Sequence, residues 1–154
     1  MSFSASRIVD VPIVVDTAIY AAADVLFIPQ LISNLFREKD FPAILQSLVL
    51  TDENNQGAAF DMYFLDSNVS FGALNAPAAP AAASIRTVLG KLSVLTTDYK
   101  TVGAMKVATL NNLNLILKPA SGSADIWVVG VNGAGTPTYT TLGLRGRFGI
   151  VYPS

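Results

Sequence analysis

Leu142-Gly143-Leu144-Arg145-Gly146-Arg147-Phe148-Gly149-Ile150-Val151-Tyr152 decides the fold class. Every second residue from Leu142 gives Leu142, Leu144, Gly146, Phe148, Ile150 and Tyr152. The intervening row is Gly143, Arg145, Arg147, Gly149 and Val151. An apolar row opposite a more polar one, at period two, is the pattern of a half-buried strand. A helix would scatter the same residues around its circumference.

The same reading extends toward the N-terminus. Asn112 to Lys118 alternates, with Leu113, Leu115 and Leu117 inward, and Asp125 to Val131 is rich in β-formers around Ile126-Trp127-Val128-Val129. Ala43 to Thr51 and Ala58 to Leu65 are predicted to pair as a hairpin through Asp52-Glu-Asn-Asn-Gln-Gly57, whose residues tolerate turn dihedrals. Phe60, Met62 and Phe64 then share one face. Ile8 to Val15 and Val25 to Ile32 are two further strands. Pro12 and Pro29 place them at sheet edges, because proline cannot donate to a ladder. The Ala/Pro-rich run 75–84 leads into Ile85, Val88 and Leu89 at helical spacing, with Gly90 as a stop.

Several short strands with regular turn signals predict an all-β fold. The expected form is a two-sheet antiparallel sandwich, jelly-roll-like, with one short helix or turn near residues 80–90 and an immunoglobulin-like topology as the alternative. Residues 1–40 form an N-terminal arm and edge strands of the same domain, and residues 41–154 form the sandwich body.

Composition narrows the function classes. The 154 residues contain no Cys and no His, which removes thiolate chemistry, the commonest general base and the commonest metal ligand. Ten Lys and Arg against eleven Asp and Glu show no basic excess of the kind a nucleic-acid binder needs. Charged residues make up 14% of the chain, against about 25% in ordinary domains, and mean hydropathy is +0.47. No run reaches the length of a membrane-spanning helix, and Asp10, Pro12 and Asp16 interrupt the one stretch that could pass for a signal peptide. Apolar surface hidden against other proteins is the reading that remains.

Candidate chemical sites are weak. Asn132-Gly-Ala-Gly135 lacks the helix and the third glycine of a phosphate loop and reads as a hairpin connection. Asp52 to Gly57 has Asp, Asn and Gly where a calcium loop has them, but Tyr63 stands in place of the bidentate Glu. Asp61 and Asp66 lie five apart, on opposite faces of a strand. Asn68-Val-Ser70 matches a glycosylation sequon, with no sign of a secretory route. The chain is therefore expected to be no enzyme, with no cofactor and no metal. Arg145 and Arg147 share a strand face and could grip carboxylates of a partner.

Gln56-Gly-Ala-Ala-Phe-Asp-Met-Tyr-Phe-Leu-Asp66, Val107-Ala-Thr109, Ala120-Ser-Gly122, Asn132-Gly-Ala-Gly-Thr-Pro-Thr-Tyr139 and the closing Leu-x-Leu-x-x-x-Phe-Gly stretch resemble a family of small structural proteins of tailed bacteriophages and prophages. Its members are read as head decoration, or cement, proteins. The resemblance runs from about Ala43 onward. It implies a capsid decoration subunit that binds the major capsid protein and forms a homo-oligomer, a dimer or trimer, with no nucleic acid and no membrane as partner. The implied place is the capsid exterior of the virion, after assembly in the host bacterial cytoplasm. A tail or baseplate component, and a carbohydrate-binding jelly-roll module using Trp127 or Tyr139, are the alternatives. Because Pro12 and Pro29 set their segments at edges, the contact is expected at Ile8, Val9, Val11, Ile13, Phe27 and Ile28, with Arg145 and Arg147 as a second face.

Overall fold

Alternating inward and outward rows recur along the chain. In the computed structural model, which describes residues 3–154, they become ten strands. These are β1 (Phe3–Ile13), β2 (Val25–Leu31), β3 (Ala43–Asp52), β4 (Phe60–Leu65), β5 (Val88–Val94), β6 (Tyr99–Val102), β7 (Met105–Leu110), β8 (Leu115–Leu117), β9 (Trp127–Asn132) and β10 (Leu144–Pro153). A four-residue helix, α1 (Ala82–Ile85), precedes β5.

One sheet has the order β1-β10-β3-β7-β6, with β8 also pairing β3, and the other has the order β2-β9-β4-β5. All these pairs are antiparallel. Without the short β6 and β8, the remaining eight strands, counted along the chain, lie in the orders 1-8-3-6 and 2-7-4-5. That is the strand order of a jelly roll, in which nearly every connection crosses from one sheet to the other.

The crossing pattern corrects the predicted hairpin of 43–51 with 58–65. β3 pairs with β10, β7 and β8 in the large sheet, whereas β4 pairs with β5 and β9 in the small one. The Asp52–Gly57 turn therefore changes layers. Asp52 is fully buried, and its carboxylate accepts the backbone N–H groups of Asn54 (2.9 Å) and Gly57 (2.7 Å). Asn55 and Gly57 take positive φ of 56° and 59° to bring those donors round. The 132–135 connection is likewise no hairpin, since β9 and β10 belong to different sheets.

Other differences are local. The helix ends at Ile85, and Val88 and Leu89 belong to β5. Asn112 and Asn114 adopt positive φ (56° and 52°), which confines the expected 112–118 strand to Leu115–Leu117. Leu142 is exposed, because β10 begins two residues later. The alternation of β10 holds from there: Leu144, Phe148, Ile150 and Tyr152 are buried. β1 and β2 occupy the edges that Pro12 and Pro29 require.

Both sheets contribute their inward rows to one core. Phe64 of β4 meets Phe148 of β10 edge-on, with ring centroids 6.0 Å apart, and Phe27 meets Phe60 at 6.3 Å. Such pairs add about 0.5–1.5 kcal/mol beyond their burial. Gly130 leaves room for the Phe27 ring; a Cβ there would lie 2.2 Å from Cε1. Outside the small sheet, Val25, Leu65, Phe71 and Val129 form a second cluster. The Ala/Pro-rich segment covers it, held by Val25 N–H to Ala76 O (2.8 Å) and Ala78 N–H to Ala23 O (3.0 Å).

Two stability outcomes follow. Asp52→Ala strands the buried Gly57 N–H and the part-buried Asn54 N–H and lowers stability by about 3 kcal/mol, read as a fall in thermal midpoint of roughly 6–12 °C. Gly130→Ala overpacks the Phe27 ring and costs about 1–3 kcal/mol; combining it with Phe27→Leu recovers part of that loss in the same melting assay.

Candidate functional site: a protein-contact surface

The expected contact residues separate by strand parity. On β1, Val9, Val11 and Ile13 point into the core and are buried, while Ile8 is 59% exposed. On β2, Phe27 is fully buried and its neighbour Ile28 is 51% exposed. Val9, Val11, Ile13 and Phe27 are therefore core side chains, out of reach of a partner in the folded chain. Alternation on β1 sends one row inward, and the row carrying Asp10 and Pro12 is the outer one.

Ile8, Arg145 and Arg147 lie on one surface, the outer face of the large sheet. The register places Ile8 beside Gly149, Asp10 beside Arg147 and Pro12 beside Arg145. Arg145 Nη2 stands 3.8 Å from Asp10 Oδ2, and both side chains are substantially exposed, so this pair contributes little to stability. Arg147 has no ion-pair partner among the described residues.

Ile28 lies where the edges of the two sheets approach. Here Val14, Ile28, Pro29, Gln30 and Leu74 line an apolar groove of about 360 Å³. Val14 is 50% exposed and Leu31 41% exposed. Irregular register in β2, on both sides of Phe27, rotates Ile28 outward. Gln30 closes the seam: its Oε1 accepts the Val14 N–H (3.2 Å) and its Nε2 donates to Pro12 O (2.5 Å). Val14, Gln30 and Leu74 escaped the sequence reading. The parity of β1 would have exposed Val14, but nothing local announces Gln30 or Leu74.

The other motifs serve the fold. Three side chains of the 52–57 turn are engaged: besides the Asp52 bonds, Asn54 Oδ1 accepts the Thr140 N–H (3.0 Å) and Gln56 Oε1 accepts the Thr138 N–H (3.0 Å). Asp61 accepts a hydrogen bond from Ser93 Oγ (2.6 Å), and Asp66 accepts one from Ser67 Oγ (2.9 Å). Asn132 Nδ2 donates to Ala21 O (2.8 Å) and Gly135 O (2.7 Å), fastening the Gly-Ala-Gly loop. Trp127 is partly buried beside the second cluster, and Tyr139 is 3% exposed. Burial, with Asp52 and Tyr20 nearby, pushes the Tyr139 phenol far above its ordinary range. Tyr139 thus offers no exposed ring on which a sugar could stack.

No known family profile matches the chain, and no curated protein matches it. Among solved structures the chain is similar to the VP2 subviral particle of infectious bursal disease virus. The identity is 10% and the TM-score 0.40, over 98% of this chain and 34% of that one. It is also similar to Desmodium yellow mottle tymovirus, at 13% identity and a TM-score of 0.30, over 97% of this chain and 81% of that one. The chain spans about a third of the length of the first of these. At these scores neither likeness adds to the strand order, which defines the fold by itself.

Adjacent residues on β2 have opposite expected behaviour. Phe27→Ala removes a core ring and costs about 3–5 kcal/mol. Ile28→Asp alters an exposed position and shifts stability by no more than about 0.5 kcal/mol. Denaturant titration of the two variants checks the assignment.

Proposed function

We propose that this chain is a virion structural subunit that decorates an assembled bacteriophage head, binding the shell and stabilising it by bridging capsomers. The observation that carries the reading is the apolar surface at the β1/β2 edge, where Val14, Ile28 and Leu31 meet solvent beside Leu74 in a chain only 14% charged. Apolar surface of this kind on a small domain marks a protein contact. The jelly-roll strand order, found in viral capsid and lectin domains, and the resemblance at 56–66 and 107–150 support the same reading.

The mechanism is mass action. A subunit that binds the closed shell and not its dissociated parts shifts the equilibrium toward the shell. Each aliphatic side chain buried in the contact contributes about 1.5–3 kcal/mol, and repetition across a shell multiplies the effect. Arg145 and Arg147 add directional contacts to carboxylates on the capsid protein.

Purification from the native source is the test. The expected result is co-migration with a large icosahedral head, with Ile28→Asp lowering occupancy by at least about tenfold while the melting temperature stays in place. Recovery with tails or baseplates alone assigns the chain to that alternative, and recovery with no particle refutes the virion reading.

A further inference from the structure

The sandwich has one long edge whose hydrogen bonds end abruptly. β1 spans eleven residues and pairs on one side with β10, in unbroken register from Ala5 to Ile13. In an antiparallel ladder, residues alternate between pointing their N–H and C=O toward the neighbour and away from it. The bonds from Gln30 to Pro12 O and Val14 N–H fix the phase: these groups face away from β10. At period two, the N–H and C=O of Ile8 and Asp10 face the same way. Among the described residues no hydrogen bond reaches these four groups. Gln30 takes the place of a neighbouring peptide at the C-terminal end of the edge, and nothing does so at Ile8 and Asp10.

We infer that this open stretch of β1 is a strand-addition site for β1 of a second copy, giving a twofold dimer with a sheet continuous across both molecules. Antiparallel pairing centred on Val9 sets Ile8 opposite the partner's Asp10, and Asp10 opposite the partner's Ile8. All four open groups on each strand then pair, and Val9 keeps its bonds to β10. The register stops before Pro12, whose missing N–H and occupied C=O end the addition. The partner strand covers the exposed Ile8 side chain, which projects over Gly149, with Ser47 on the far side of that glycine. Charge does not oppose the approach. The two Asp10 carboxylates each carry Arg145 at 3.8 Å and Arg147 across the ladder.

The inference stands apart from the capsid reading, since it concerns the isolated chain. Sedimentation of the full chain, from low to high micromolar concentration, is expected to show monomer passing to dimer. Hydrogen exchange over the same range is expected to slow selectively at the Ile8 and Asp10 amides. Ile8→Pro removes an N–H that the monomer leaves unused, at an edge position where proline is tolerated. It is expected to melt as the parent does and to stay monomeric. A chain that remains monomeric throughout, or a dimer whose Ile8 and Asp10 amides exchange as fast as in the monomer, overturns the inference. The exchange measurement decides the matter even if Ile8→Pro fails to fold. Loss of head binding by a chain that still dimerises counts against the capsid reading alone.

Discussion

Asp52 holds the point where the chain leaves one sheet and enters the other. A carboxylate with no solvent contact is stable only when its oxygens are satisfied, and here the two backbone donors of the turn supply that. The bond pattern works in both directions. The turn gives the buried carboxylate its partners, and the carboxylate holds the turn that carries the chain from the large sheet into the small one. β3 is central to the large sheet and β4 is internal to the small one. The alignment of the two layers, and the meeting of Phe64 with Phe148, depend on this corner.

Given that alignment, each strand has one row for the core and one row left over. The leftover rows are treated unequally. The Ala/Pro-rich loop lies over the small sheet and buries Phe71 against Val129. The outer face of the large sheet keeps Ile8, Arg145 and Arg147, and the β1/β2 seam keeps Val14 and Ile28. The low charge of the chain is thus distributed by architecture, with apolar groups spent inside the sandwich, under the loop, and along one edge.

Much of this was legible in the residues. The alternation of β10 and the prolines of β1 and β2 are local signals; the prolines sit at edges as read, and the alternation holds from Leu144, with Leu142 outside the strand. What failed was non-local. Asp, Asn and Gly serve a layer-crossing turn as well as a hairpin, because both need positive φ; the choice of partner strand is made by residues far away in sequence. Ile85, Val88 and Leu89 fit a helix over one turn, and a run that short cannot be told from the start of a strand. In the candidate site, an edge position marked by Pro12 does not by itself separate Val9, Val11 and Ile13 from Ile8, since all four are apolar. Asp10 and Pro12 in the intervening row were the signal that separates them.

β1 is a strand of the core whose outer row and edge lie uncovered at the surface, so core and exposed face share one element. Deleting residues 1–15 and following thermal unfolding by circular dichroism tests that most directly. Loss of Val9, Val11 and Ile13 from the core predicts a chain with no cooperative transition. A truncated chain that still melts cooperatively near the parent temperature would show that these residues are a detachable arm, and would contradict the account.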